Sequence, residues 1–337
     1  MTDNDQVRWR RPLAGGLSRL NVLQKRHVVR RAVRDYLDGV GYIQIDVPLL
    51  VHGTTPDYGV ESFRLDDRYL ITSSDYQLKR LEIGGIEKVY SLTQNFRPGD
   101  SGTYRNPEFT MLEWEQVGAN ITDIEKDARH LTLKAMEVLG LQGSLVYQGQ
   151  PIEMHKAWAR LSVAEAIEKY TGAAMRDFGL ECCQRAVKAA GIELRPEWAN
   201  DADFLFSLVM DHIQPDLGRD QPVFVYDWPA HHTTSAQLRV GTNLADRSEL
   251  FIAGIELGDG FTALIDATTQ KAAFGAALKE RHVRGQKAVE LDHKYLEAMQ
   301  TGMRPCAGMA IGFDRLVMLL TDQPHIKNVL AFAWDEL

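Results

Sequence analysis

Short strand-like runs crowd both ends of this chain while helical periodicity fills its middle, and that distribution leaves few folds open. Residues 42–47 (Tyr-Ile-Gln-Ile-Asp-Val) alternate with period two and stop at Pro48, and further strand-like runs follow at 69–72, 88–92 and 109–115. Strand signals resume at 223–226 and 250–257, and 310–320 reads as a Gly-rich turn entering an apolar helix. Helices are expected over 20–39, closed by Gly39 and Gly41, and over 121–139. Between the two strand-rich regions, 161–209 carries helical stretches broken by Gly172, Gly191 and Pro196. The pattern predicts an α+β fold, one sheet assembled from both ends of the chain with a helical insertion over about 161–216.

Composition removes whole classes of function. With 45% apolar, 25% charged and 9% aromatic residues in 337, the chain has the make-up of a folded globular protein. No run approaches the ~18 consecutive apolar residues of a membrane span, and the N-terminus lacks a signal-peptide pattern, so no membrane partner and a cytoplasmic location are expected. Adjacent Cys182 and Cys183 and a solitary Cys306 form neither a disulfide framework nor a zinc spacing. A net charge of −8 argues against a general basic surface for nucleic acid. Residues 1–34 nevertheless hold nine basic and two acidic side chains, +7 against −15 for the remainder. That run reads as a solvated helix face or as a docking surface for an acidic partner. Residues 1–19 are set apart as a basic N-terminal segment, and 20–337 as one folded domain.

The chemistry concentrates in 96–114, F-R-P-G-D-S-G-T-Y-R-N-P-E-F-T-M-L-E-W. It reads as a strand ending in an arginine, a turn-rich loop, and a second strand with carboxylates at alternate positions. Such a hairpin can set Arg97 against a phosphate and Phe109 against a flat base, with Glu113 on the same face as Met111 and Glu115. The segment resembles motif 2 of the class II aminoacyl-tRNA synthetases, in particular the lysyl branch. Residues 42–48 are similar to motif 1, the unit through which these enzymes dimerise. G-M-A-I-G-F-D-R (308–315) is similar to motif 3, 71–80 (I-T-S-S-D-Y-Q-L-K-R) to the amino-acid-binding loop, and 249–266 to the segment supplying magnesium- and substrate-binding groups. The resemblance spans roughly 20–337.

The resemblance implies an antiparallel sheet flanked by helices, a homodimer, and two-step use of ATP and Mg²⁺ to activate an amino acid. It places Arg97 at the α-phosphate and Arg315 at the γ-phosphate as catalytic groups, Arg105, Asn106 and Phe109 around the nucleotide, and Glu249 with Glu256 on magnesium. Ser73, Asp75, Glu113, Glu115, Asp259, Phe261, Ala263 and Ala310 fall at the amino-acid pocket. Motif 1 begins too early for an anticodon-reading domain upstream, so tRNA is not an expected partner. The length, V-F-V-Y-D-W-P-A-H-H-T-T-S-A-Q-L (223–238) and Ala310 are similar to the ligases that attach lysine or (R)-β-lysine to elongation factor P. The implied function is therefore an ATP-dependent ligase with a protein acceptor. A paralogue activating another amino acid for a carrier protein, small amine or tRNA, and a non-catalytic regulatory protein, stand as alternatives.

Six positions depart from the family pattern. Asp75 replaces a glutamate that receives the α-amino group, Ala263 a glutamate that pairs with lysine's distal ammonium, Gly99 a glutamate and Arg105 a histidine in the nucleotide loop. Glu115 and Asp259 stand where the family has tyrosine and asparagine. Either acidic charge has moved to these two positions and the pocket keeps a preference for a diamino substrate, or Glu115 points to solvent and Ala263 opens the pocket to a neutral or bulkier side chain.

Overall fold

The computed structural model describes residues 9–13, 16–142 and 144–337. Arg8, and the rest of the basic N-terminal segment over 1–8 and 14–15, lie outside them. In chain order the elements are α1 (Arg19–Gly39), β1 (Ile43–Gln44), β2 (Leu50–Val51), β3 (Arg64–Leu65), β4 (Arg68–Leu70), α2 (Asp75–Ile83), β5 (Lys88–Phe96), β6 (Glu108–Val117), α3 (Ile121–Val138), β7 (Leu145–Tyr147) and β8 (Gln150–Ile152). There follow β9 (Ala159–Ser162), α4 (Val163–Thr171), α5 (Leu180–Ala189), α6 (Ala202–Ile213), β10 (Val223–Pro229), β11 (Leu244–Ile252), β12 (Ile255–Thr262), α7 (Ala267–Val283), α8 (His293–Gln300), β13 (Cys306–Gly312) and α9 (Phe313–Leu320).

Eight strands form one sheet in the order β1-β5-β6-β13-β12-β11-β10-β9. Its five inner pairings are antiparallel, and the two outer ones, β1 with β5 and β9 with β10, are parallel. The α+β expectation of a sheet assembled from both ends of the chain holds, since β6 from the first half pairs directly with β13 from the last. One face is apolar. Leu92, Leu112, Trp114, Leu257, Met309 and Ile311 bury themselves there against Val29 and Val33 of α1, Ile124 and Leu131 of α3, and Leu316 and Val317 of α9. Side-chain capping fixes where these helices begin: Ser18 and Asn21 make a reciprocal box at α1, Asn120 and Asp123 another at α3.

The structure corrects several element assignments. The strand expected at 42–47 shrinks to Ile43–Gln44; the alternation continues, but beyond Gln44 only the Ile45 amide bonds Tyr90, while Ile45 and Val47 turn onto a small cluster with Ile71, Leu78 and Val89. The run at 250–257 is a hairpin rather than one strand, because Ala253 and Gly254 both take positive φ, 54° and 74°, and reverse the chain between β11 and β12. Residues 161–162 belong to β9, and helices α4, α5 and α6 fill 163–213 around their own apolar cluster of Ile167, Cys183, Val187, Leu205 and Phe206. The basic stretch of α1 is neither a free helix face nor a bare docking patch along its whole length. Arg19 bonds the Leu330 and Lys327 carbonyls and pairs with Glu336, Arg26 pairs with Asp314 at 2.5 Å, and Arg30 lies over the Phe313 ring. No described helix is long and apolar enough to cross a membrane.

Candidate active site

On the sheet face opposite the helices, antiparallel register does the work of assembling polar groups. Residues directly opposite one another across paired strands project to the same side. One rung runs Ser91, Glu113, Ala310, Asp259, Glu249 across β5, β6, β13, β12 and β11. The next runs Val89, Glu115, Gly308, Phe261, Arg247. Residues far apart in sequence thus meet within two rungs, at the floor of a cavity of about 820 Å³. Its walls come from the 53–60 loop, the start of α2, the β5–β6 hairpin, the 230–235 loop and the Ala273–Ala277 side of α7.

Of the residues singled out from sequence, Ser73, Asp75, Arg97, Arg105, Asn106, Phe109, Glu113, Glu115, Glu249, Glu256, Asp259, Phe261, Ala310 and Arg315 all border this cavity. Ala263 does not. It is buried with Tyr76, Phe274, Tyr295 and Met299, and the stacked Tyr76 and Tyr295 rings, 4.8 Å apart, belong to the same cluster, so this alanine opens no space in the pocket.

Two arginines stand on the side of the cavity where the nucleotide is expected. The Arg97 guanidinium lies over the Phe109 ring at 5.3 Å and donates to the Thr72 carbonyl at 3.1 Å. Arg315 reaches back from α9 to donate to the Glu256 carbonyl at 2.6 Å, with the Glu256 carboxylate at 3.6 Å. Arg105 sits exposed on the hairpin loop and pairs with Asp100. Asn106 is committed to structure: its amide donates to the Glu108 carbonyl and its oxygen accepts the Trp334 amide, which ties the C-terminal turn to the hairpin. Glu249 is buried on the floor, and burial, reinforced by the neighbouring Glu256, pushes its carboxyl well above the usual range despite Arg247. A buried carboxyl group raised in part by a neighbouring carboxylate is a donor set a divalent cation would relieve, and the hard oxygens of Glu249 and Glu256 suit magnesium.

The amino-acid side differs from the expectation. Glu113 receives the Ser73 hydroxyl at 2.5 Å, the Ser74 amide at 2.6 Å and the Ser74 hydroxyl, so its charge is spent on the N-terminus of α2. Residues 75–80, read as part of a binding loop, are the first turns of that helix. Lys79, one turn beyond Asp75, is fully buried beneath the cavity floor; its ammonium bonds Asp75, reaches Glu115 at 3.2 Å and faces the Phe261 ring at 4.6 Å. Burial works against that charge, but Asp75 and Glu115 outweigh it and hold Lys79 protonated. Glu115 is buried, not solvent-facing. Burial raises its carboxyl, with Asp75 and Glu82 adding to the effect and Lys79 opposing it. Asp259 is clamped by Arg247 through two bonds of 2.8 and 3.0 Å, and the same guanidinium bonds Glu249 at 2.8 Å.

Sequence reading passed over Lys79 and Arg247. The signals were present: an i,i+4 spacing from Asp75, and a strand position two before Glu249. It also passed over Asp203, which α6 brings to the cavity rim, where it pairs with His231 at 2.9 Å.

The sequence pattern of the tRNA synthetases class II (D, K and N) matches residues 16–336, nearly the whole chain. The chain belongs to this family. Among curated relatives, the lysine–tRNA ligase of Roseiflexus castenholzii is 36% identical over 326 residues, covering 93% of this chain and 65% of that protein. Those of Pelotomaculum thermopropionicum and Staphylococcus aureus strain MRSA252 are 35% and 34% identical over 326 and 321 residues, each covering 92% of this chain and 63% of the relative. The chain thus spans just under two thirds of the length of these class II relatives.

Proposed function

We propose that the cavity binds ATP and an amino acid and joins them as an aminoacyl-adenylate. A substrate carboxylate oxygen bonds to the α-phosphorus while the bond to pyrophosphate breaks; an acceptor nucleophile then takes the acyl group and AMP leaves. Such a reaction places growing negative charge on phosphoryl oxygens and needs preorganised cations more than a proton carrier. The observation that carries the reading is the convergence of Arg97, Arg315, Glu249 and Glu256 on one cavity from four separate elements. Arg97 and Arg315 would hold the phosphates. Glu249 and Glu256 would hold Mg²⁺, which when bound neutralises phosphate charge. A non-catalytic regulatory role gives no reason for these four to share a cavity.

Two acceptors have support. Ala310, on the cavity floor, is the position that favours a protein amine of the elongation factor P kind. The relatives are named lysine–tRNA ligases, which favours tRNA. Transfer of labelled amino acid to elongation factor P or to bulk tRNA separates them. The activation step is tested by ATP–pyrophosphate exchange over a panel of α- and β-amino acids. Exchange should appear in the wild type and fall by about 10²–10³-fold in Arg97→Ala and Arg315→Ala, the usual cost of losing one donor to a developing anion. Wild-type rates in both variants would remove these arginines from the reaction.

A further inference from the structure

This inference rests on the activation reading and concerns which amino acid is activated. A lysine-type substrate brings a second ammonium, which in a pocket closed to water needs a carboxylate of its own. Among the acids bordering this cavity, Asp75, Glu113, Glu115 and Asp259 stand where the family resemblance places the amino acid. Each already has a partner from the chain itself. Asp75 and Glu115 share the Lys79 ammonium, Asp259 is held twice by Arg247, and Glu113 takes three hydrogen bonds from Ser73 and Ser74. The Glu115 carboxyl group fills the space beside Gly308 that a side chain there would take, since a Cβ would come within 2.2 Å of the carboxyl carbon. The aromatic face of Phe261, another natural seat for an ammonium, is covered by Lys79 at 4.6 Å. The position where the family carries the glutamate for a distal ammonium is Ala263, whose methyl group carries no charge and is buried in an apolar cluster with Tyr76, Phe274 and Tyr295.

We propose that Lys79 takes up, from within the fold, the charge-pairing capacity that a substrate's second ammonium would need, so that this site activates an amino acid with an uncharged side chain. Asp75, which borders the cavity, is left to face the α-ammonium that every amino acid carries. A side-chain ammonium would have to enter beside Lys79, where each of these four carboxyl groups already has a partner from the chain.

The experiment is ATP–pyrophosphate exchange by the full chain with lysine, ornithine and (R)-β-lysine on one side and neutral amino acids from alanine to glutamine, methionine and phenylalanine on the other. A neutral amino acid should support exchange at kcat/KM at least tenfold above every cationic one. Lysine, ornithine or β-lysine matching or exceeding all neutral candidates overturns the inference and leaves the activation reading standing. Exchange with no amino acid overturns the activation reading itself, and this inference with it. Lys79→Met provides an independent arm, because it releases Asp75 and Glu115: the ratio of lysine to neutral exchange should rise at least tenfold, and an unchanged ratio in a folded variant counts against the proposal. Should this variant not fold, the wild-type panel alone decides.

Discussion

Glu82 shows how a single side chain senses the charge placed beneath the cavity. It projects from α2 into a buried site beside Lys79 and Cys306, and burial pushes its carboxyl up to about 7, with Lys79 and the Cys306 thiol pulling the other way. A carboxyl raised in the folded state binds its proton more tightly there than in the unfolded chain. Its contribution is therefore fully present below the ordinary carboxylate range and is lost as pH rises toward 7. Glu115, raised for the same reason, acts in the same direction. Urea unfolding from pH 5 to pH 8 should show stability falling with pH, with Glu82 accounting for on the order of 2 kcal/mol of the fall. Glu82→Gln should flatten that slope whatever it does to absolute stability. An unchanged slope would mean that Glu82 is ionised in the fold.

Among the elements, β12 and β13 decide the geometry of the floor, since they carry Asp259, Phe261 and Ala310 in one register. They approach so closely because Gly258 and Gly260 have no side chain on the face where Met309 and Ile311 pack. A Cβ at Gly260 would stand 2.6 Å from the Gly308 carbonyl oxygen and 2.8 Å from the Met309 Cβ. Backbone cannot yield as a flexible side chain can. Gly260→Ala should therefore cost about 1–3 kcal/mol by overpacking, seen as a lower urea midpoint at unchanged m-value, and should lower amino-acid-dependent exchange by displacing Asp259 and Phe261. Wild-type stability would show that the two strands have room to part. The helical middle acts on the site only at its rim, through Asp203 and its pairing with His231.

For the whole molecule, the exposed apolar side chains around the first strands point to assembly. Ile43 on the edge strand β1 is 53% exposed, with Leu49 at 36% and Leu50 at 45% nearby in sequence, all in or beside the segment that resembles the family's dimerisation motif. An edge strand of two residues ending in exposed apolar groups is covered at least cost by a second copy. Sedimentation equilibrium at micromolar concentration should give a dimer mass, and Ile43→Glu together with Leu50→Glu should shift it toward monomer. A wild-type monomer under those conditions would rule this surface out.

The α+β class, the hairpin at 96–114, the strand–helix turn at 308–315 and fourteen of the residues that border the cavity were legible in the sequence, the class because period-two alternation is a property of neighbouring residues and the rest through resemblance to family motifs. What the alternation could not supply was partnership. That Glu115 meets Lys79 depends on α2 packing under β6, that Asp259 meets Arg247 depends on a hairpin hidden in what reads as one apolar run, and that Ala263 is covered depends on where α7 and α8 bring Phe274 and Tyr295. A charge pattern read along the chain counts acids. Only packing across it decides which of them are already neutralised, because the attraction that selects a buried ion pair acts through a few ångströms of space and is indifferent to distance along the sequence.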